Sequence, residues 1–382
     1  MAQAAGRPNI LLISNGHGED WIASAIAARL KDHADVEAYP MIGAGYAYSD
    51  ACPIVGPRAS LASEGWRNVK GSLRRDIATG GLGIIPPALR FLRAVRGRYD
   101  RVVVVGDMVG VLACLATGYR DLVYLDVYKT GAARLYSRAE RWAIRQTCRT
   151  VFCRNPRLAQ LLQQDGVDAR AAGNVMMDAI SSGPYDAAAR RTRPLAVTLL
   201  PGARALTSES FELQVAALRT LSEDMLPDIF MAVAGSANIE NMAKRTGLRR
   251  VPMLSHEPAD LGQLADDRLT IHMARGNALG NVLAASDLVL SQAGTATIQA
   301  LGLGKPAITF INPRDRRSRF EDEQALFGDA RIVVQPEAGE IGAALKKLLD
   351  DSAHRERLSQ SGRDRIGGPG AMQAILAVLL GP

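Results

Sequence analysis

The sequence predicts an α/β protein built from two Rossmann-like domains that face each other across a central cleft. Three observations predict it. The chain has 382 residues, more than one hydrophobic core organises, since single cores stop growing near about 250–300 residues. Short β-branched runs alternate with amphipathic stretches of helical period, the pattern of parallel sheets with crossover helices. That alternation breaks once, at a polar stretch, and then restarts.

The elements follow in order. Residues 9–14, NILLIS, form a buried first strand that breaks at Asn15-Gly16-His17-Gly18. A helix opens from about Glu19, with Ile22, Ile26 and Leu30 at helical spacing. Four consecutive valines at 102–105 make another fully buried strand, ending at Gly106-Asp107. Further strands fit residues 122–125, 150–153 and 169–172. Between 180 and 194 the chain turns polar, with Ser181, Ser182, Gly183 and Pro184 before an arginine-rich run to Arg193-Pro194, which reads as a linker. Beyond it, strands at 195–200 and 229–233 end at Pro201-Gly202 and Ala234-Gly235, and a third, 288–291, runs into Gln292-Ala293-Gly294-Thr295. A fourth, 307–310, follows Lys305-Pro306. The expected domains are residues 1–180 and 195–365, with a helix at 366–382 packing back on the first. In such sheets ligands sit at the carboxyl ends of the strands.

Composition narrows the function classes. No run reaches the ~20 apolar residues of a membrane span, and residues 1–8 lack the features of a signal peptide. The four cysteines, Cys52, Cys114, Cys148 and Cys153, have no metal-site spacing and read as reduced thiols. With five scattered histidines and a single carboxylate cluster at Glu321-Asp322-Glu323, no metal or other cofactor is expected. Residues 1–180 hold 23 Lys and Arg against 16 Asp and Glu, so the whole net charge of +7 belongs to the first half. In the stretch 67–101, Arg67, Lys70, Arg74, Arg75, Arg90, Arg93, Arg96, Arg98 and Arg101 meet only Asp76 and Asp100. Around the apolar Gly80–Pro87 run this suits an anionic membrane surface; a solvated helix face is the competing reading. Little aromatic interleaving argues against nucleic acid.

Two turns carry the chemistry. At Gly294-Thr295-Ala296 a strand end passes through glycine into a helix of small residues, where free amides and the helix dipole suit a pyrophosphate. An ordinary tight strand–helix turn is the alternative. At Pro201-Gly202-Ala203-Arg204 a glycine turn offers amides, and Arg204 is placed either to pair with a phosphate or to lie on the surface as a plain loop arginine. In the first half, Gly16-His17-Gly18-Glu19-Asp20 supplies groups for proton transfer, although Glu19 and Asp20 also suit a helix N-terminus. Asp107, ending its strand, is a candidate base or a helix cap. Asp126 and Lys129 hold weaker positions of the same kind.

In order and spacing the chain resembles the lipid-A-disaccharide synthase family, and more closely its synthase-related branch. The resemblance runs through Ser14-Asn15-Gly16-His17-Gly18-Glu19-Asp20, Val105-Gly106-Asp107 and Gly173-Asn174-Val175-Met176-Met177-Asp178. It continues through Leu200-Pro201-Gly202-Ala203-Arg204, Ala293-Gly294-Thr295-Ala296-Thr297, Gly304-Lys305-Pro306 and Phe320-Glu321-Asp322-Glu323-Gln324. It implies a GT-B fold and a cytoplasmic glycosyltransferase, peripheral on the inner face of the membrane. Such an enzyme moves a sugar from a UDP-sugar to a lipid acceptor by metal-independent, inverting transfer. It further implies that Arg204 and the Gly294–Thr295 turn hold the diphosphate and that Glu323 and Gln324 face the donor. Gln299 stands where the synthase has a glutamate on the ribose, and Ala203 replaces a serine. The base is Asp107 or His17. An enzyme like UDP-N-acetylglucosamine 2-epimerase, with its Gly-Asn…Asp motif, and a non-catalytic nucleotide-sugar-binding subunit are the alternatives.

Overall fold

A computed structural model describes residues 7–59, 81–132, 135–202, 206–234, 237–253, 255–311 and 317–381, with the backbone alone described for 17, 81–82 and 317–319. These residues divide into two compact units. The first takes the chain up to 179 with 317–326 and 369–381; the second takes 180–311 with 327–368.

The first unit runs β1 (Asn9–Ser14), α1 (His17–Leu30), β2 (Asp35–Pro40), α2 (Ile85–Ala94), β3 (Arg101–Gly106) and α3 (Met108–Ala116). It continues with β4 (Leu122–Asp126), α4 (Arg138–Thr147), β5 (Cys148–Cys153), α5 (Pro156–Gln163), β6 (Asp168–Arg170) and α6 (Val175–Asp178). Its six strands are all parallel, in the order β2-β1-β3-β4-β5-β6. A sheet covered on both faces needs unbroken apolar strands, and Ile10, Leu11, Leu12 and Ile13 are fully buried. Leu11 and Ile13 share one core with Leu92 of α2, Val111 of α3, Ile144 of α4 and Leu158 of α5, which places these four helices on one face. Ser137 and Glu140 cap α4 reciprocally, and Arg141 ties α4 to Asp165 beyond α5 at 2.5 Å.

The second unit contains β7 (Ala196–Leu200), α7 (Thr207–Leu218), β8 (Asp228–Val233), α8 (Ile239–Thr246), β9 (Arg249–Val251), β10 (Asp260–Ala265) and β11 (Thr270–Arg275). Then come α9 (Leu279–Ala284), β12 (Leu288–Ser291), α10 (Thr295–Gly302) and β13 (Ala307–Phe310). Past α11 (Arg317–Phe327), which groups with the first unit but for its last residue, the second unit adds β14 (Arg331–Val334), α12 (Ala338–Asp350) and α13 (Ser352–Ile366), and α14 (Ala371–Leu380) returns to the first. The sheet order is β14-β13-β12-β7-β8-β11-β10-β9; β10 alone runs opposite to the other strands, pairing antiparallel with β11 and with the edge strand β9.

Three local features depart from the sequence reading. Helix α1 begins at His17, because Gly16 already serves as its N-cap. The stretch 181–194 is bonded into the second unit instead of standing as a solvated linker. Arg190 pairs with buried Asp260 at 2.6 Å and Arg191 with Asp287 at 3.1 Å, while the Thr192 and Arg193 amides donate to Asp228. Charge repetition hides such pairing, since the partner carboxylates lie far along the chain. Lastly, Gly173-Asn174…Asp178 acts as a clasp. Asn174 caps α6, and the Asp178 carboxylate accepts from the Gly370 and Met372 amides at 2.9 and 3.1 Å, holding the start of α14 against the first unit. Gly173, at φ +121, lies against Pro369 O, where a Cβ would come within 2.9 Å.

Candidate functional site

In each sheet the strand order reverses at one place, and there the carboxyl ends of two neighbouring strands open a crevice. In the first unit this is between β1 and β3; in the second, between β7 and β12.

At the first crevice the loop after β1 meets the end of β3. Asn15 Nδ2 donates to Asp107 Oδ1 at 2.6 Å, and the same oxygen accepts the Val109 amide at 2.8 Å as the N-cap of α3. Gly106, at φ +139, makes the meeting possible, since a Cβ there would strike Asn15 Oδ1. That oxygen is buried and has no hydrogen-bond partner among the described residues. Glu19, at the third position of α1, folds its carboxylate back over Gly16, an arrangement that suits the positive helix end. Gly18 is part-exposed in the same first turn. The backbone of His17 is the first residue of the helix, at this crevice.

Asp20 lies deeper. It is 2% exposed and accepts from Ser14 Oγ at 2.6 Å, and Ser14 in turn lies 2.7 Å from Tyr48 Oη. Burial pushes its pKa up to about 7, opposed by the Ser14 hydrogen bond and aided by neighbouring Glu19. Asp20 is thus a core carboxyl beneath the crevice and not a surface cap. Asp126 is also fully enclosed. Burial raises its pKa, against the hydrogen bonds from Tyr136 and from the Lys129 and Tyr128 amides. Lys129 Nζ pairs with Glu140 at 2.9 Å and donates to Leu135 O. These two candidates brace the loop after β4.

At the second crevice, Gly202, at φ +101, turns the chain beside Gln292 O, which a Cβ would approach to 3.4 Å. The Gln292 amide donates to Leu200 O at 2.8 Å, joining the two loops. Gln292 Nε2 reaches Thr309 Oγ1 at 2.9 Å and Phe310 O at 3.1 Å, which ties in the end of β13. Thr297 Oγ1 donates to Ala293 O and lies 2.6 Å from Ser291 Oγ, fixing the turn. Among the described residues no side chain caps α10, so the first-turn amides of Thr295 and Ala296 stand at a helix N-terminus that none of them caps, and none of their atoms lies within 4 Å of a Cβ added to Gly294. Gln299 is buried on the inner side of α10, 5% exposed.

Gly202, Gly294, Thr295 and Ala296 therefore come together, as do Gly16, Gly18, Glu19 and Asp107. Arg204 lies outside the described residues. Glu323 and Gln324 lie on α11, which groups with the first unit; the second unit by itself does not bring them to the Gly294 turn. Within 67–101, residues 67–80 lie outside the described residues. Arg98 pairs with Glu37 at 2.9 Å, Arg101 bonds Gly381 O, and Arg96 bonds Thr117 O. Arg90 and Arg93 stand exposed. Among the described residues no cluster of three His, Cys, Asp or Glu is placed to hold a metal, and no helix is long and apolar enough to cross a membrane.

Sequence reasoning missed Asn15, Ser14 and Tyr48 as members of the first site. Asn15 stood in a turn motif and Tyr48 in a loop; the signal available was the Asn-Gly pair directly after a buried strand.

The chain matches no protein-family model and no curated protein. Solved structures do match along nearly its whole length. A protein from Listeria monocytogenes assigned as a UDP-N-acetylglucosamine 2-epimerase is 15% identical, with a TM-score of 0.60, over 98% of this chain and 96% of its own. Acinetobacter baumannii MurG is 15% identical at a TM-score of 0.57, over 97% and 99%. A UDP-glucosyltransferase from Polygonum tinctorium is 12% identical at 0.58, over 99% of both chains. At such identities the likeness establishes the fold. The chain has the GT-B fold, with two Rossmann-like parallel sheets.

Proposed function

We propose that the chain is a UDP-sugar-dependent glycosyltransferase acting on a membrane lipid, close in kind to the lipid-A-disaccharide synthase-related proteins. The observation that carries this reading is the second crevice. Gly202 and the Gly294-Thr295-Ala296 helix start converge at the switch point of their sheet, where a diphosphate meets backbone amides and the helix dipole. The named UDP-glucosyltransferase neighbour and a neighbour solved with UDP support the choice of nucleotide. Arg204 would add charge to the leaving diphosphate, and Gln299 would serve the ribose.

In the reaction, a hydroxyl of the acceptor gives its proton to Asp107 or His17. Its oxygen bonds to the anomeric carbon as the bond from that carbon to the UDP oxygen breaks. UDP departs with both electrons of that bond, stabilised by amide dipoles and Arg204 without a metal ion. Attack from the face opposite UDP inverts the anomeric centre. Asn15 positions Asp107 through its Nδ2 hydrogen bond. Glu323 and Gln324 would serve the donor sugar.

The test is transfer of radiolabelled sugar from UDP-sugars to a membrane-lipid extract. Arg204→Ala and Asp107→Ala should each lower turnover by at least about a hundredfold; full activity in both variants overturns the assignment. A second reading is favoured by the epimerase-assigned neighbour. Incubation with UDP-N-acetylglucosamine and no acceptor, followed by product analysis, separates the two.

A further inference from the structure

We infer that Gln292 is a positioning residue of the second crevice, holding the first amides of α10 in place for a nucleotide diphosphate. The choice of ligand rests on the proposed function; the geometry stands alone. A binding site needs its donors held to within about half an ångström, by residues that are themselves locked. The turn after β12 is rigid within itself, through the hydrogen bonds among Ser291, Ala293 and Thr297. The far end of α10 is fixed by the fully buried Ala300 and Leu301. What is left to set is the near end of α10 against the neighbouring strand ends.

Gln292 sets it with its amide, its carbonyl and its side chain. On one side its amide donates to Leu200 O at 2.8 Å, continuing the β12–β7 pairing one residue past Ser291. Its carbonyl lies beside Gly202. On the other side the β12–β13 pairing ends early, at Leu290 and Ile308, so the two strands part where the turn begins. The Gln292 side chain spans that gap. Its Nε2 donates to Thr309 Oγ1 at 2.9 Å and to Phe310 O at 3.1 Å. A carbonyl only accepts, so the contact with Phe310 decides which end of the side-chain amide faces β13. Thr309 and Phe310 are each 5% exposed, and the anchor is therefore locked in its turn. One residue thus joins the ends of β7, β12 and β13, two positions before the glycine at which α10 opens.

A bridge that merely stabilised the unit would affect every ligand alike. A bridge that places the α10 amides acts on the diphosphate, because hydrogen bonds to its oxygens depend steeply on distance and angle. The nucleoside, which does not use those amides, is untouched.

The experiment measures binding of UDP and of uridine to the full chain, by calorimetry for UDP and by nuclear magnetic resonance titration for uridine. Gln292→Met keeps the length of the side chain and removes both of its hydrogen bonds to β13. It should weaken UDP about tenfold and leave uridine as it was. Gln292→Glu should weaken UDP further, since a carboxylate cannot donate to Phe310 O and adds negative charge beside the phosphates. Thr309→Val should weaken UDP about threefold, whereas Thr309→Ser, which keeps the acceptor, should bind as the unaltered chain does. In a crystal structure of Gln292→Met without nucleotide, the Gly294 turn should stand farther from Phe310. Equal UDP affinity in Gln292→Met and the unaltered chain overturns the inference, as does an unmoved turn. An equal fall for UDP and uridine also overturns it, making Gln292 a support of the whole unit. Should Gln292→Met fail to fold, the Thr309 pair decides in the same way. Failure of the unaltered chain to bind UDP overturns the proposed function and this role with it; UDP binding that the variants leave unweakened overturns the role alone.

Discussion

Asp20 makes the sharpest prediction at the scale of single residues. Its carboxyl ionises at about 7 in the folded chain and at the ordinary 3.8 when exposed. Between those values the unfolded chain has released a proton that the folded chain still holds, so stability falls as pH rises through the window and levels off above about 7. Asp20→Asn keeps the shape and removes the proton. Urea unfolding at pH 5 and pH 8 should show the Asn variant gaining on the unaltered chain by on the order of a few kcal/mol; a parallel pH dependence would refute the assignment. Gly106→Ala is the second case. It forces alanine to φ +139 and into the space of Asn15 Oδ1, which should cost about 1–3 kcal/mol and displace Asn15 from Asp107. Circular-dichroism melts and a crystal structure of the variant would check both. These contacts were hardly legible in the sequence. Asp107 could be suspected from its strand end, but its partner lies 92 positions away, and nothing local in an Asn-Gly turn reports that distance. The depth of Asp20 was equally hidden, because Tyr48, which shares Ser14 with it, stands in an irregular stretch.

Elements were read far better, for a physical reason. A strand buried on both faces must be apolar throughout, so 9–14, 102–105, 288–291 and 307–310 announced themselves. The antiparallel edge, β9 and β10, did not: Arg249, Arg250 and Val251 are all exposed and carry no apolar run. The Gly173–Asp178 motif was legible as a motif but not as a clasp, since its partner amides belong to residues 370 and 372. Asp178→Ala leaves those two amides without their acceptor. It should cost about 1–2 kcal/mol and raise amide exchange along α14, while exchange in β7 and β8 stays as it was. Uniform loosening of both units would show that the clasp holds more than one helix.

At the scale of the whole chain, the two units have separate hydrophobic cores, and the proposed nucleotide site belongs to the second. Calorimetry should resolve more than one transition. UDP at a hundred times its dissociation constant should stabilise the second unit by about 2.7 kcal/mol and shift its transition first. An equal shift of both transitions would argue that the nucleotide reads the units as one body. The clasp at Asp178 also bears on how the chain is made. Helix α14, which covers part of α1, is synthesised roughly 190 residues after its acceptor Asp178. At ~5–20 residues per second that is about ten to forty seconds of translation. Throughout that time the nascent first unit lacks α14, and the surface against which Ala371, Met372, Ile375 and Leu379 are buried stays open. A ribosome-bound chaperone has its longest opportunity there, and translation pauses after residue 180 should aggregate this protein more than pauses before it.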